Sequence, residues 1–272
     1  MADTPGPIDE RTLREYLDAA IAVVEAAGPL ALRYFRSTLD VEDKSKGSAF
    51  DPVTRADREV EAQIREDLGG RFPDHGILGE EQPELESDSP FRWVVDPIDG
   101  TRAFISGVPA WGILLGLTID GICTTGVMHQ PYLGETFFGD ARGAGLRRGG
   151  ADRALRTSAS EELASAILYC THPSMFEGDE KRQAAFDRVS GETRMMRFGG
   201  DCYSYGLLAH GLIDLVIEGG LQPYDIIPMI PIIEGAGGVV TDWQGGDASA
   251  GGFVVAAANA ELHARAIERL NG

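Results

Sequence analysis

Trp93-Val94-Val95-Asp96-Pro97-Ile98-Asp99-Gly100-Thr101 is the stretch around which the chain is organised. Its first three residues are large and apolar and predict the end of a buried strand. Pro97 has no N–H to give to a ladder, so pairing is expected to stop there; Gly100 supplies freedom for a tight approach. Two carboxylates three residues apart at a strand end can converge on one point outside the sheet. Such a point suits a hard divalent cation, because Mg²⁺ takes one or two carboxylates and completes its shell with water and phosphate oxygens. The N–H groups of Gly100 and Thr101 would suit an anion if a helix starts there. Asp, Pro and Gly are also ordinary turn formers, so a junction without chemistry is the plainer reading of the same residues.

At 272 residues the chain has room for one large domain or two modest ones, with ample core. An apolar content of 43% is ordinary for a soluble globular protein. Lys and Arg number 24 against 43 Asp and Glu, a formal net charge of −19. That charge repels nucleic acid and anionic membranes, and neither is expected as a partner. A phosphate ester bound by so acidic a protein would need local positive charge, which metal ions supply. Cys123, Cys170 and Cys202 are scattered without ligand spacing and are expected to be inert buried thiols in a reducing compartment. The polar start Met1-Ala-Asp-Thr-Pro-Gly6 is unlike a secretory signal, and no apolar run reaches membrane-spanning length. A cytoplasmic protein is expected.

Outward from the central stretch, Leu13, Leu17, Ala20, Ile21, Val24, Ala27 and Ala31 form the stripe of an amphipathic helix over Ile8 to Phe35. The stripe suits the core or an oligomer interface, and Gly28-Pro29 is the place for a kink. A polar loop from Glu42 to Ser48 follows. A second helix is expected from Thr54, with Ala56, Val60, Ile64 and Leu68 down one face. Asp57 falls in its first turn, where capping and the helix dipole favour a carboxylate. Gly76–Gly79 is a short strand ending in Glu80-Glu81, and Gln82 to Pro90 an exposed acidic loop. Residues 111–119 and 122–128 predict a hairpin around Asp120-Gly121, with a further strand at Glu135 to Phe138. Gly143-Ala144-Gly145 lacks the frame of a nucleotide loop and reads as a turn. From Ala166 strands and helices alternate: strands at 167–170, 195–198, 212–217, 238–241 and 253–257, helices at 179–189, 199–209, 225–234 and 260–270. This order predicts one α/β unit with two sheets, the first more antiparallel and the second more doubly wound.

Asp96-Pro97-Ile98-Asp99-Gly100-Thr101 resembles the signature of the inositol monophosphatase superfamily, Mg²⁺-dependent and often lithium-sensitive phosphomonoesterases. Tyr224-Asp225 before a helix, followed by Glu234-Gly-Ala-Gly-Gly238, resembles its second signature, with tyrosine where tryptophan is usual. Asp57 behind Pro52-Val53-Thr54, Glu80, the central motif, Glu218 and Asp225 stand in the family's order. The resemblance extends over about residues 10–270. It implies a layered α-β-α-β-α sandwich and a single catalytic domain over residues 1–272, about 1–150 on the metal side and 151–272 on the substrate side.

The resemblance also implies metal-assisted displacement at phosphorus. One Mg²⁺ would be held by Glu80, Asp96 and the carbonyl of Ile98, with Glu81 in support. Thr101, with Asp57 behind it, would orient and deprotonate a water. A second Mg²⁺ would be held by Asp96, Asp99 and Asp225, and a third, looser ion would sit near Glu80, with Mn²⁺ as an alternative metal. Gly100 and Thr101 would meet the substrate phosphate. So many converging carboxylates would repel one another without cations.

Within the superfamily, Thr101–Gly112, His172–Asp179, Gly200–Tyr205, Gly220–Asp225 and Pro231–Gly238 look most like the histidinol-phosphatase branch. Its substrate, L-histidinol phosphate, carries an ammonium and an imidazole. Glu218 matches a substrate-binding glutamate of inositol phosphatases, so it marks the pocket without settling specificity, and Asp201 is the more informative residue. Asp201 is a carboxylate where relatives acting on inositol tend to have a small uncharged residue; its plainer role is to cap a helix. Inositol phosphates and bisphosphorylated nucleotides or sugars are the runner-up substrates. A non-catalytic phosphate-binding protein is the alternative of another class, and loss of Thr101, Asp57 or a metal carboxylate would signal it; all are present. Relatives of this kind are commonly homodimers.

Overall fold

The computed structural model describes residues 9–38, 41–43 and 52–272. Helix α1 (Glu10–Tyr34) starts at Asp9, whose side chain accepts from Thr12 N at 2.9 Å, and runs without a break through Pro29. The expected start at Ile8 lies outside the described residues. Strands β1 (Val41–Asp43) and β2 (Pro52–Thr54) pair antiparallel. Most of the expected polar loop at 42–48 lies outside the described residues, and the described part, Glu42 and Asp43, is strand. Helix α2 (Arg55–Arg71) leads to β3 (Gly76–Gly79), β4 (Phe91–Asp99) and the short α3 (Thr101–Ser106). Strands β5 (Gly112–Ile119), β6 (Ile122–Gln130), β7 (Glu135–Asp140), β8 (Gly143–Arg148) and β9 (Ala151–Ala154) form a meander. The second half comprises β10 (Ile167–Cys170), α4 (Glu180–Glu192), β11 (Met195–Phe198), α5 (Asp201–Ala209), β12 (Leu215–Leu221), α6 (Pro223–Ile226), α7 (Met229–Gly235), β13 (Val239–Asp242), β14 (Gly252–Ala257) and α8 (Ala260–Asn271).

Strands β3 to β9 make a seven-stranded sheet in sequence order, antiparallel except for the parallel pair β3–β4. The five-stranded sheet has the order β11-β10-β12-β14-β13. It is less doubly wound than expected: β10 runs parallel to β11 and β12, but β14 is antiparallel to both neighbours. Helices α1 and α2 cover one face of the first sheet, α5 and α7 lie between the sheets, and α4 and α8 cover the outer face of the second. The order is therefore α-β-α-β-α. The run at 113–117 is apolar throughout because both faces of β5 are buried: Ile113, Leu115 and Leu117 join α1 and α2, while Leu114 joins the middle layer. The stripe of α1 is consumed in that first core, which settles it as core rather than interface. Among the described residues no helix is long and apolar enough to cross a membrane.

Three expectations are corrected. Gly143-Ala144-Gly145 is not a turn but the start of β8; glycine at 145 leaves room for the Phe138 ring, whose Cζ would lie 2.4 Å from a Cβ there. The helix expected over 225–234 is two, α6 and α7, divided at Ile227-Pro228. That segment lies backbone-down on the first sheet: a Cβ at Gly126 would fall 1.8 Å from the Pro228 carbonyl, and one at Gly139 would fall 2.4 Å from that of Pro231. The strand expected from Leu212 starts at Leu215, because Leu212 N closes the end of α5 on the Leu207 carbonyl.

Candidate active site

Strand β4 carries one more residue than β5 between Asp96, opposite Leu114, and Asp99, opposite Gly112. A bulge admits a proline, so Pro97 bends the ladder instead of ending it as the sequence suggested. The bend turns Asp96 and Asp99 towards one point. Asp96 Oδ1 accepts from Ile98 N at 3.0 Å, and Asp99 Oδ2 from Cys202 N, in the first turn of α5, at 2.9 Å. Asp225 closes a capping box at α6, its Oδ2 accepting from Gln222 N at 2.7 Å. A backbone N–H thus anchors one oxygen of each carboxylate. Asp96, Asp99 and Asp225 each bring an oxygen within 4.8 Å of the others.

Burial first, then the charges of Glu80, Asp99, Asp225 and Asp57, hold Asp96 well above the usual carboxylate range. Burial, then Asp225 and Asp201, does the same to Asp99. Asp225 is also raised by burial, against the lowering effect of its bond from Gln222. A cation among them would remove this repulsion, and an all-oxygen, carboxylate-rich donor set fits a hard divalent ion.

Gly100 caps α3 in the left-handed region (φ 83°), where a Cβ would come within 3.0 Å of the Asp201 Cβ. Thr101 Oγ1 donates to the Ile98 carbonyl at 3.1 Å, which joins two expected site groups. Asp57 closes the capping box of α2, its Oδ2 accepting from Thr54 N at 2.8 Å and from Thr54 Oγ1. The cap is real, and the same carboxylate lies near enough to raise Asp96. Glu80, just past β3, is the foremost of the charges that raise Asp96.

The residue that holds the loop after Glu80 was not foreseen. Glu61, fully buried on α2, accepts from Glu81 N at 2.7 Å, Gln82 N at 3.1 Å and Arg65 Nε at 2.7 Å. Arg65 in turn donates to the Gln82 carbonyl. Gly79 has no space for a side chain, since a Cβ would lie 2.3 Å from Glu61 Oε1. The available signal was a charged residue on the apolar stripe of α2, beside Val60 and Ile64 and one turn beyond Asp57.

Asp99 and Asp225 also line a pocket of about 180 Å³, with Thr171, Met175, Asp201, Tyr205, Glu218 and Leu221 among its walls. Asp201 does not cap its helix: Gly200 holds the N-cap position without a side-chain bond, and Asp201 follows with φ 43°. A non-glycine residue in this region costs energy, a pattern associated with functional sites. Burial raises Asp201 to about 6, and Arg102 opposes the shift. Burial raises Glu218 to about 7 against hydrogen bonds from Thr171 and Tyr205. The cysteines are free, and burial pushes Cys123 and Cys170 to about 12 and Cys202 well above the usual thiol range. None is poised as a nucleophile.

The chain belongs to the inositol monophosphatase family, whose model matches residues 12–271, and is therefore a phosphatase of a generally metal-dependent family. It is 37% identical to the bifunctional phosphatase IMPL2, chloroplastic, of Arabidopsis thaliana, over 98% of this chain and 78% of that protein. It is 36% identical to a histidinol-phosphatase of Chlorobaculum parvum, over 84% of this chain and 86% of that one. Among solved structures, an inositol monophosphatase from Zymomonas mobilis superposes with a TM-score of 0.83 at 35% identity, covering 95% of this chain and 98% of that one.

Proposed function

We propose that this phosphatase is a Mg²⁺-dependent histidinol-phosphatase, one catalytic unit over residues 1–272, that releases phosphate from L-histidinol phosphate by attack of water. The observation that carries the reading is the presence of Asp201 and Glu218 in one small pocket with Asp99 and Asp225. An alcohol bearing an ammonium and an imidazole meets two carboxylates there, whereas inositol offers neutral hydroxyls. Charge-assisted hydrogen bonds are about twice as strong as neutral ones. The name of the Chlorobaculum relative supports this substrate, and that of the Zymomonas structure supports inositol phosphate.

In this reading Glu80, Asp96, Asp99, Asp225 and the Ile98 carbonyl hold two or three ions. Bound Mg²⁺, or Mn²⁺, supplies the charge that acidifies a water and neutralises phosphate oxygens. The chain does the rest. The backbone at Gly100 and Thr101 meets the phosphate, the Thr101 hydroxyl orients the water, and Asp57 takes its proton. Asp201 and Glu218 bind the nitrogens of the alcohol. A homodimer in the cytoplasm completes the proposal, and light scattering tests the dimer.

Phosphate release from L-histidinol phosphate and inositol 1-phosphate in Mg²⁺ tests the substrate. Strong turnover of the inositol ester with none of the histidinol ester overturns the reading. Asp201→Asn should lower kcat/KM for histidinol phosphate by about 10- to 100-fold, the worth of a desolvated charged contact of about 1.5–3 kcal/mol, and leave the inositol ester nearly unaffected. An equal fall on both esters would make Asp201 structural.

Glu61→Gln should raise the Mg²⁺ concentration for half-maximal activity by about tenfold, the effect typical of an outer-shell partner, with kcat at saturating Mg²⁺ largely kept. An amide turns a donor towards at least one of the three N–H groups that Glu61 now accepts, so the Glu80 loop must shift. The same displacement should appear when Mg²⁺ is titrated against melting temperature. Two unmoved titrations would leave Glu61 no role at the metal site.

A further inference from the structure

We infer that Met175 is the residue by which this pocket reads the body of the leaving group, favouring an aromatic ring over a polyol. The inference rests on the histidinol phosphate reading and adds a residue to it. Asp201 and Glu218 can accept from an ammonium, but a carboxylate accepts from the hydroxyls of a polyol as well. Whether the rest of the leaving group presents carbon or oxygen must be read by other walls. Met175 and Leu221 are aliphatic side chains lining the same pocket. A thioether has no donor and is only a weak acceptor, so a hydroxyl held against it loses its water and gains no partner. An imidazole ring presents C–H edges to that wall, and sulfur about 5 Å from a ring, often at its edge, is a favourable contact.

Methionine usually adapts to what it meets, because it turns about three bonds. The surrounding chain limits that freedom here. Met175 lies in the 3₁₀ turn Pro173–Phe176, which opens on a proline and is capped by His172, whose Nδ1 accepts from Ser174 N at 3.1 Å. Met175 N donates to the His172 carbonyl, also at 3.1 Å. The next residue, Phe176, is 1% exposed and packs on the rings of Phe186 and Trp243, at centroid distances of 4.9 and 5.3 Å. At the side-chain end, Met175 Sδ lies 3.8 Å from the thiol of Cys170, the last residue of β10. Met175 is therefore held at its backbone and at its sulfur, partly buried against the core under α4 and α8 while it lines the pocket. A wall ordered before the substrate arrives spends little entropy on binding, and it cannot turn aside to spare an unmatched hydroxyl.

Met175→Gln keeps the length of the side chain and exchanges the thioether for an amide that pairs with hydroxyls. KM for L-histidinol phosphate should rise about five- to tenfold while kcat stays within about twofold, and KM for inositol 1-phosphate should not rise. The ratio of kcat/KM for the histidinol ester to that for the inositol ester should fall about tenfold, the upper worth of a sulfur–ring contact. Met175→Leu, which keeps an apolar wall, should hold the ratio within about threefold of the wild type. The ratio does not depend on the fraction of enzyme that is folded, so partial misfolding leaves it unmoved. An unmoved ratio in Met175→Gln, or an equal fall in Met175→Leu, overturns the inference. If the wild type hydrolyses histidinol phosphate and either result appears, the inference alone fails. If the wild type does not hydrolyse it, the substrate reading fails and the inference falls with it.

Discussion

Asp99→Asn should reduce turnover by at least about a thousandfold, some 4 kcal/mol of barrier, and yet melt above the wild type when divalent ions are absent. Both effects have one cause. Burial, followed by the charges of Asp225 and Asp201, holds Asp99 well above the usual carboxylate range. A group whose native pKa exceeds its unfolded one keeps a proton that the unfolded chain has released. Its contribution to stability is full below the unfolded pKa and is lost as pH rises through the native pKa. Above the unfolded pKa and without ions the wild type therefore loses stability at this group, and asparagine, which has no proton to hold or release, avoids that loss. Mg²⁺ should raise the melting temperature of the wild type and barely move that of the variant. Asp96→Asn should behave alike, since its carboxyl is raised by burial and four neighbouring acids. Melting curves at pH 5 and pH 8, with Mg²⁺ and with chelator, check the sign. Full activity in excess chelator, or an unchanged Mg²⁺ shift in Asp99→Asn, contradicts the account.

Thr101→Ala should lower kcat by about a hundredfold and leave KM within a few-fold, the pattern of a group whose contribution appears mainly on the way to the transition state. The hydroxyl sits 3.1 Å from the Ile98 carbonyl, at the turn that leaves the β4 bulge, and Thr101 opens α3. It is thus placed by backbone on both sides, and alanine removes the oxygen without disturbing either. Thr101→Ser, which restores the oxygen, should recover most of the rate. Steady-state kinetics with all three proteins decides the point. A raised KM at constant kcat would make Thr101 a phosphate contact.

How much of this was legible in the chain differs from residue to residue. The convergence of Asp96 and Asp99 could be read from local chemistry, because a strand end, a proline and a glycine constrain one another within six positions. The bulge could not, since it is defined by a count against β5. Asp57 could be read as a capping residue or as a site residue, and the structure shows why both readings drew support: it closes a capping box while its charge acts on the cluster. Asp225, read only as a site residue, closes a capping box too. The capping reading of Asp201 failed because the helix is capped one residue earlier, and the aspartate is left with a positive φ. Glu61 escaped notice because its loop partners, Glu81 and Gln82, lie 20 and 21 residues away, and only the fold brings the loop to it. The division between α6 and α7 is likewise a tertiary matter: a segment with helical spacing must lie flat on glycines of two other strands.

Those glycines give the site a second kind of vulnerability. Asp96 and Asp99 belong to one sheet and Asp225 to the segment resting on it, and the gap between them is gauged by main chain against main chain at Gly126 and Gly139. No flexible side chain stands in that gap to absorb error. A single methyl group added at either glycine acts as a shim under the α6–α7 segment, and its thickness must appear somewhere along the segment that carries Asp225. The dimensional tolerance of the proposed metal site is thus set at positions that have no polar side chain to offer it. A lesion there would present as lost metal affinity although every ligand was intact.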